Sequence, residues 1–264
     1  MQARGVLPPA PEPSWLERLH PLVKGGWLVA VSVAVFLVGR APYVLAVLGG
    51  LVALAQGAGG GLLARVRGRR LLAWSGLSLL LLQALFYRGA TVLLYLWPWG
   101  GGHLPVTLEG LARGTLVAGR FLVVVLSSQC FVLTTDPSDL AYALMRAGLP
   151  YRYGFALVTA LRMVPVFEVE ATTVYQAQLV RGVRYDGHAL RRVIEILRQL
   201  LLPLLVSALR KVDALAISME GRHFGRYATR TFLRETRLTR TDRWAGLGAV
   251  LFLAAAVCLR HFWG

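Results

Sequence analysis

The chain has 264 residues, of which 56% are hydrophobic and only 16% are charged. Soluble proteins carry about 25% charged residues, so this composition excludes an ordinary soluble domain and indicates a membrane protein. The formal net charge of +16 would also suit a protein that binds nucleic acid. The positions of the basic residues favour a different explanation, which is given below, and we expect no nucleic-acid partner.

The sequence contains no familiar catalytic or metal-binding pattern. Cys130 and Cys258 both lie in apolar segments, which excludes a disulfide framework and a CxxC site. The histidines are scattered without the spacing of metal ligands, and no G-x-x-x-x-G-K-[ST] phosphate loop occurs. We therefore expect no metal, no cofactor and no enzymatic activity. The proline-rich start lacks a cleavable apolar signal and is expected to be a cytosolic tail.

Five apolar segments come close to the about 20 residues that a membrane-crossing helix needs. They are residues 25–39, 41–63, 71–87, 116–133 and 244–259. The first extends back past Lys24, whose long side chain can reach the membrane interface. We predict an all-α polytopic protein with about five transmembrane helices, four in residues 1–133 and the last in 244–264, separated by a cytosolic region over 134–243.

Three details of the apolar segments carry further expectations. Residues 90–99 are apolar but too short to cross, and their Trp and Tyr side chains favour a helical dip into the outer interface. Arg120 is a rare charge within a span, and we expect it to snorkel to the nearby boundary. Several glycines are expected to allow close helix packing: Gly39, Gly49, Gly50 and Gly76.

The basic residues indicate the orientation of the chain. Segments 1–24, 64–70 and 134–243 together hold 24 of the 29 lysines and arginines. Basic residues are enriched in cytoplasmic loops, so this distribution predicts a cytosolic N-terminus and an odd number of crossings. The positive charge is therefore mainly a topology signal, and part of it faces partners or anionic lipid headgroups.

The region 134–243 is predicted to hold one short and two long amphipathic helices. The short helix covers 140–147, and the long ones cover 154–182 and 188–223, with Pro165 and Pro203 in their interiors. Both long helices are interrupted by charges and prolines before reaching the length of a membrane span. We expect them to lie along the membrane face.

Each long helix ends in a small arginine-containing group. The first ends in Val180, Arg181 and Gly182, and the second in Gly221, Arg222 and His223. An ordinary helix end explains such a pattern, because arginine complements the helix dipole and glycine closes the cap. A guanidinium at a helix tip can also form paired hydrogen bonds with a carboxylate of a docking protein. Both interpretations stay open at the level of these residues.

Five segments together resemble a known family, the transmembrane T component of energy-coupling factor (ECF) transporters. The resemblance runs from His20-Pro21 with Lys24, through Thr134-Thr135-Asp136-Pro137 and Leu161-Arg162-Met163-Val164-Pro165, to Ala177-Gln178-Leu179-Val180-Arg181-Gly182 and Ser218-Met219-Glu220-Gly221-Arg222-His223-Phe224. The last two are similar to the family's paired Ala-Arg-Gly motifs. Val180 and Gly221 replace the motif alanines and His223 replaces the second glycine.

The resemblance implies a function and a set of partners. The two arginine tips would dock on two cytosolic ABC-type ATPases, which bind the ATP. The long helices would carry a small membrane-embedded S component that binds a vitamin or metal ion. The chain would then be the scaffold of an ATP-driven importer in the cell (inner) membrane, and the S component would choose the substrate.

Two other classes of protein remain as alternatives. A self-contained membrane carrier needs substrate-binding charges near the middle of its spans, where only Arg120 comes close. An integral membrane enzyme acting on lipid needs histidines or acids clustered at the membrane face, for which Asp136, Asp139 and His188 are the candidates.

Overall fold

The computed structural model describes residues 16–57, 68–87, 91–96, 104–183, 190–226 and 239–263. Within them the chain forms eight helices and one pair of antiparallel strands, so the protein is all-α, as predicted. In chain order the elements are α1 (Pro21–Leu37), α2 (Ala41–Gly57), α3 (Arg69–Phe86), β1 (Val92–Leu96), β2 (Leu104–Thr107), α4 (Leu108–Thr134), α5 (Pro137–Arg146), α6 (Tyr151–Val180), α7 (Leu190–Gly221) and α8 (Arg240–Trp263).

The contacts divide the chain into two compact units. Met1–Ala143 and Thr236–Gly264 form the first, which we call the bundle unit. Leu144–Glu235 forms the second, which we call the long-helix unit because it contains α6 and α7. The long-helix unit lies inside the region 134–243 that the sequence marks as a separate cytosolic segment.

Helix α4 is the centre of the bundle unit, since α1, α2 and α3 all pack against it and α8 packs against α1. Val35, Val44 and Val123 are completely buried where α1, α2 and α4 meet. These β-branched side chains have stiff rotamers and fill the helix contacts closely. The core is narrow, and most of the large apolar side chains of the bundle face outward.

The bundle helices alternate in direction along the chain. Near one end of the bundle, Lys24 at the start of α1 meets Thr134 at the end of α4, and near the other Arg120 meets Val35, so α1 and α4 are antiparallel. Helix α8 runs parallel to α1, because Trp27 bonds the carbonyl of Ala245 while Ala34 packs near Ala256.

Helices α2 and α3 complete this alternation. Val44 near the start of α2 contacts Gly119, and Ala55 near its end packs against Cys130, so α2 is parallel to α4. Gly76 in the first half of α3 lies against Leu122, and Leu80 lies against Gly114, so α3 is antiparallel to α4. An odd series of consecutive membrane crossings requires this up-and-down arrangement.

Within the described residues two helices are long and apolar enough to cross a membrane, Leu108–Thr134 and Arg240–Phe262. Pro21–Leu37 and Ala41–Gly57 are also apolar, but each has 17 residues. The total of about five crossings stays a prediction. The fourth predicted span, 116–133, is part of a longer helix, α4. This helix already begins at Leu108, where the Thr107 hydroxyl forms its N-cap.

The predicted helical dip at 90–99 is wrong for residues 91–96, and its remaining residues lie outside the described ranges. Residues Val92–Leu96 form strand β1, which pairs antiparallel with Leu104–Thr107. A helix of about ten residues is too short to offset the cost of its first turn. A strand pair joined by a glycine-rich segment satisfies the backbone of this short apolar stretch instead.

The expected role of the glycines is correct for Gly76 but not for Gly39, Gly49 and Gly50. A side chain on Gly76 would meet Leu122 at 3.1 Å, whereas the other three have open space around them. In the bundle, closer helix contacts than that of Gly76 lie at Gly114 and Gly119 of α4. Apolar helices expose many glycines, and sequence alone does not show which of them face a neighbour.

That Arg120 snorkels to a membrane boundary stays a prediction, and the structure shows which groups its side chain binds. Because α4 begins at Leu108, Arg120 lies well inside the helix and its side chain turns toward the end of α1. Its Nε donates to the carbonyl of Val35 at 3.0 Å, and Nη2 is 3.4 Å from the carbonyls of Phe36 and Val38. Arg120 thus caps α1 by satisfying carbonyls that the helix itself leaves unpaired.

Candidate functional site

The long-helix unit is built on an antiparallel pair formed by α6 and α7. Three contacts follow one another along it: Gln178 with the carbonyl of Gln199 at 3.4 Å, Glu170 with Lys211 at 2.7 Å, and the rings of Phe155 and Phe224 at 4.6 Å. As the residue number falls along α6 it rises along α7. The C-terminal ends of the two helices therefore point in opposite directions.

This arrangement places the two arginine groups at opposite ends of the pair. Arg181 follows the last residue of α6, whereas Arg222 follows the last residue of α7 and lies beside the first turns of α6. Helix α6 has 30 residues, which corresponds to about 45 Å at the rise of an α-helix. The predicted site residues thus form two separate tips and not one cluster.

The first tip, Val180–Val183, closes α6 with a left-handed cap. Gly182 has φ +84°, and its amide donates to the carbonyl of Leu179 at 2.9 Å. The amide of Val183 donates to the carbonyl of Gln178 at 3.1 Å. This pair of hydrogen bonds is the Schellman motif, which satisfies the last carbonyls of a helix and favours glycine at the left-handed position.

The second tip, Gly221–Phe224, repeats the same cap with a different residue at the left-handed position. The amide of His223 donates to the backbone carbonyl of Glu220 at 2.9 Å, and the amide of Phe224 donates to the backbone carbonyl of Met219 at 2.9 Å. His223 has φ +54° and takes the place that Gly182 has in the first tip. Histidine is among the residue types enriched in this backbone region, so the motif survives the loss of its glycine.

The two arginines therefore hold equivalent positions, each one residue before the left-handed residue of its cap. Both side chains are exposed, as is Val180 beside the first of them, with 89% of its surface accessible. Neither guanidinium has a hydrogen-bond or ion-pair partner among the residues that the structure describes. The ordinary cap explains the backbone of both tips, but it leaves their guanidinium groups available to another molecule.

An aromatic cluster that the sequence analysis missed holds the second tip in place. The ring of Phe224 lies 4.6 Å from that of Phe155 and 6.2 Å from that of Tyr151, on the first turns of α6. Such ring pairs contribute about 0.5–1.5 kcal/mol each beyond the area that they bury. The signal in the sequence was the spacing of four residues between Tyr151 and Phe155, which puts both rings on one helix face.

A polar cluster links the middle of the two helices. Glu170 of α6 accepts a hydrogen bond from the hydroxyl of Ser207 and pairs with the Lys211 ammonium at 2.7 Å. The hydrogen bond from Lys211, followed by that from Ser207, lowers the pKa of the Glu170 carboxyl below its usual 4.5. No local pattern predicts this contact, because its members are far apart along the chain.

Helix α7 presents an unpartnered apolar stripe. Leucines recur every four residues on one face, and all of them are exposed together with the next apolar residue on that face: Leu197, Leu201, Leu205, Leu209 and Val212. A continuous apolar stripe of this kind on a helix indicates a surface that packs against a protein partner or lipid. The long-helix unit thus combines two cationic ends with an apolar face.

The arrangement is suited to binding another molecule. Among the described residues no three histidine, cysteine or acidic side chains come together as metal ligands. A guanidinium fixed at a rigid helix end can instead grip a carboxylate with two parallel hydrogen bonds.

The fold and the two tips define a class of protein: a helical membrane bundle that carries a separate pair of long helices with exposed arginine ends. Comparison with known sequences agrees with this class. The chain belongs to the family described as cobalt transport protein (CbiQ), whose family model matches residues 12–232.

Two relatives extend the match over most of both chains. An energy-coupling factor transporter transmembrane protein EcfT from Lacticaseibacillus paracasei is 33% identical over 202 residues, which cover 74% of each chain. Another protein of the same name, from Listeria innocua, is 30% identical over 235 residues, which cover 86% of this chain and 87% of the relative. These names identify the relatives as membrane components of transporters.

Proposed function

We propose that this protein is the transmembrane scaffold of an ATP-driven ECF-type importer. It couples ATP hydrolysis by two cytosolic ATPase subunits to the movement of a membrane-embedded S component that binds a vitamin or metal ion. The observation that carries this proposal is the duplicated tip, in which Arg181 and Arg222 hold equivalent positions in the caps at the two ends of one helix pair.

Duplication of the tip is the reason to expect two ATPase subunits. A single capped helix end with an arginine is common, but two equivalent ends about 45 Å apart along α6 are suited to two similar partners side by side. Each tip offers an exposed guanidinium on a rigid helix to an acidic groove. Interface arginines often contribute more than about 2 kcal/mol to binding.

The apolar stripe of α7 supports the second partner. A membrane-embedded S component presents apolar surface, and the stripe from Leu197 to Val212 is exposed and continuous. Packing of the two surfaces would remove the stripe from contact with water or lipid. Long helices move as rigid bodies, so a displacement of their tips would reach whatever rests on the stripe.

The charge distribution supports a cytosolic position for the long-helix unit. Seventeen of the 29 basic residues lie in 134–243, and four more lie in the loop 64–70. We infer a cell-membrane protein with a cytosolic N-terminus, in which both tips face the compartment that contains the ATPases.

Replacement of both tip arginines tests the proposal. In the double variant Arg181→Glu/Arg222→Glu the tips would repel an acidic groove, and we expect the ATPase subunits to be lost from the complex after gentle detergent extraction. Mass spectrometry of the copurified proteins measures this loss. A variant with Arg162→Glu and Arg210→Glu, two exposed arginines in the interior of α6 and α7, serves as the matched control. Undiminished ATPase copurification by the double tip variant would contradict the proposal.

A further inference from the structure

The first turn of α1 makes contacts that the proposed function does not use. Two chain segments connect the bundle unit to the long-helix unit, one after α4 and one before α8. Residues at the start of α1 bond to both segments on the bundle side. We call this group the connection clamp; it consists of the side chains of Lys24, Asp242 and Thr239 and the backbone amides of His20 and Thr239.

Lys24 holds the segment that leaves α4. Its ammonium donates to the carbonyl of Thr134 at 2.7 Å and to the carbonyl of Glu17 at 3.1 Å. Thr134 is the last residue of α4, so its carbonyl has no partner within the helix. The lysine thus closes α4 at the point where the chain turns into α5, which leads into the long-helix unit.

Asp242 holds the segment that returns from the long-helix unit. Its Oδ2 accepts hydrogen bonds from the Thr239 amide at 2.8 Å and the Thr239 hydroxyl at 2.7 Å, and so caps the start of α8. Its Oδ1 accepts the backbone amide of His20 at 2.8 Å. One carboxylate therefore caps the N-termini of both α8 and α1.

The burial of this carboxylate indicates that the contact is rigid. Asp242 is only 2% exposed and His20 only 6%. A buried carboxylate is costly unless hydrogen bonds replace its water, and Asp242 has three. The positive ends of two helix dipoles add to its stabilisation. Trp27 strengthens the same junction by donating to the Ala245 carbonyl at 2.8 Å.

We propose that Lys24 and Asp242 are positioning residues for energy coupling. They hold both segments that connect the long-helix unit to the bundle. When the ATPases displace the long-helix unit, the ends of these segments therefore stay in place and do not unwind. This inference rests on the proposed function, and it assigns a role to residues that do not belong to the arginine tips.

The test measures whether nucleotide moves the long-helix unit relative to the bundle. Spin labels are placed at Leu81 of α3 and Val169 of α6, both exposed, in a background with Cys130→Ser and Cys258→Ser. The complex extracted with its own ATPases is then measured without nucleotide and with MgATP plus vanadate. In the wild type we expect one narrow distance distribution that shifts when nucleotide is trapped.

In Lys24→Met we expect a broad distribution whose nucleotide-dependent shift is less than half that of the wild type, with the ATPases still copurifying. Lys24→Arg restores the shift, because its guanidinium can donate to both carbonyls. Arg70→Met, which removes an exposed basic residue of the same bundle, leaves the shift unchanged. Should the Lys24→Met complex not assemble, Thr239→Val takes its place in the test. This variant loses one hydrogen bond to Asp242, and we expect a smaller reduction of the nucleotide-dependent shift.

Two outcomes overturn the inference, and they differ from each other. A shift as large in Lys24→Met or Thr239→Val as in the wild type refutes the clamp alone. A wild-type complex without a nucleotide-dependent shift refutes the clamp together with the proposed function.

Discussion

Individual residues decide how the two tips end. His223 adopts φ +54° where the first tip has Gly182, and a side chain in that region costs roughly 1–2 kcal/mol. The Schellman hydrogen bonds and the packing of Phe224 against Phe155 offset this cost. The second tip is therefore held by its aromatic anchor, whereas the first is held by glycine.

Substitution of His223 by glycine should stabilise the second cap. Removing the side chain relieves the strain, and a gain of about 1 kcal/mol slows local opening roughly fivefold. Hydrogen exchange of the His223 and Phe224 amides measures this opening. His223→Val should accelerate exchange, since a β-branched residue fits the left-handed region poorly. Equal exchange rates in His223→Val and in the wild type would show that the cap is not strained.

At the scale of single residues, the sequence allowed us to locate the tip arginines but not the hydrogen-bond partners of the polar side chains in the bundle. Arg181 and Arg222 are recognisable because a helix end has a local pattern of arginine and a left-handed residue. The roles of Arg120, Lys24 and Asp242 depend on carbonyls or amides of distant segments. Nothing in the neighbouring sequence specifies which backbone group will be left unpaired nearby.

Among the elements, α4 determines how closely the bundle helices approach. A Cβ on Gly114 would lie 2.7 Å from the backbone oxygen of Leu80, and one on Gly119 would lie 2.7 Å from Val44. Close backbone approach through small residues is the usual basis of helix association in membranes. The contacts of α4 with α2 and α3 depend on these two positions.

Gly114→Ala should destabilise the bundle unit. Since the obstructing atom belongs to the backbone, the helices must separate, and overpacking of this kind costs about 1–3 kcal/mol. The melting temperature of the purified protein in detergent should therefore fall. Gly49→Ala is the matched control, because Gly49 is a helical glycine with open space around it. The same melting temperature in both variants would contradict the packing described for α4.

The long helices α6 and α7 are joined at their centre by charge. Because the hydrogen bond from Lys211 holds the Glu170 pKa below 4.5, the link stabilises the pair above that pH. It is lost as the pH falls through the lowered pKa and the carboxylate becomes neutral. The spacing between α6 and α7 should therefore become less defined in acid.

Spin labels at the exposed residues Val169 and Val212 measure this effect. We expect a narrow distance distribution at neutral pH that broadens once the pH lies well below 4.5. Glu170→Ala should be broad at both pH values, whereas Glu168→Ala, which removes an exposed acid from the same helix, should behave like the wild type. A Glu170→Ala distribution as narrow as that of the wild type at neutral pH would exclude the link.

The elements themselves were largely predictable. The helices expected at 154–182 and 188–223 correspond to Tyr151–Val180 and Leu190–Gly221, because charges and prolines interrupt them too often for membrane spans while their apolar residues keep helical spacing. The strand pair at Val92–Leu96 was missed. A short apolar run has no period that separates strand from helix, and its partner strand lies beyond a glycine-rich stretch.

For the molecule as a whole, the division into two units follows from composition. Apolar segments with few charges form the bundle unit, and segments with an apolar stripe and charged ends form the long-helix unit. The alternating directions of α1, α2, α3, α4 and α8 agree with five consecutive crossings. Arg120, the charge that a self-contained carrier could have used for its substrate, is instead bound to the end of α1.

Photocrosslinking at a tip measures whether the tips contact ATPase subunits. A photoreactive amino acid is placed at Val180, which is 89% exposed beside Arg181, in the complete transporter in its native membrane. We expect crosslinks to an ATPase subunit, and none from the same group placed at the exposed Leu81 of α3. Crosslinks from Val180 only to lipid or to its own chain would contradict this expectation.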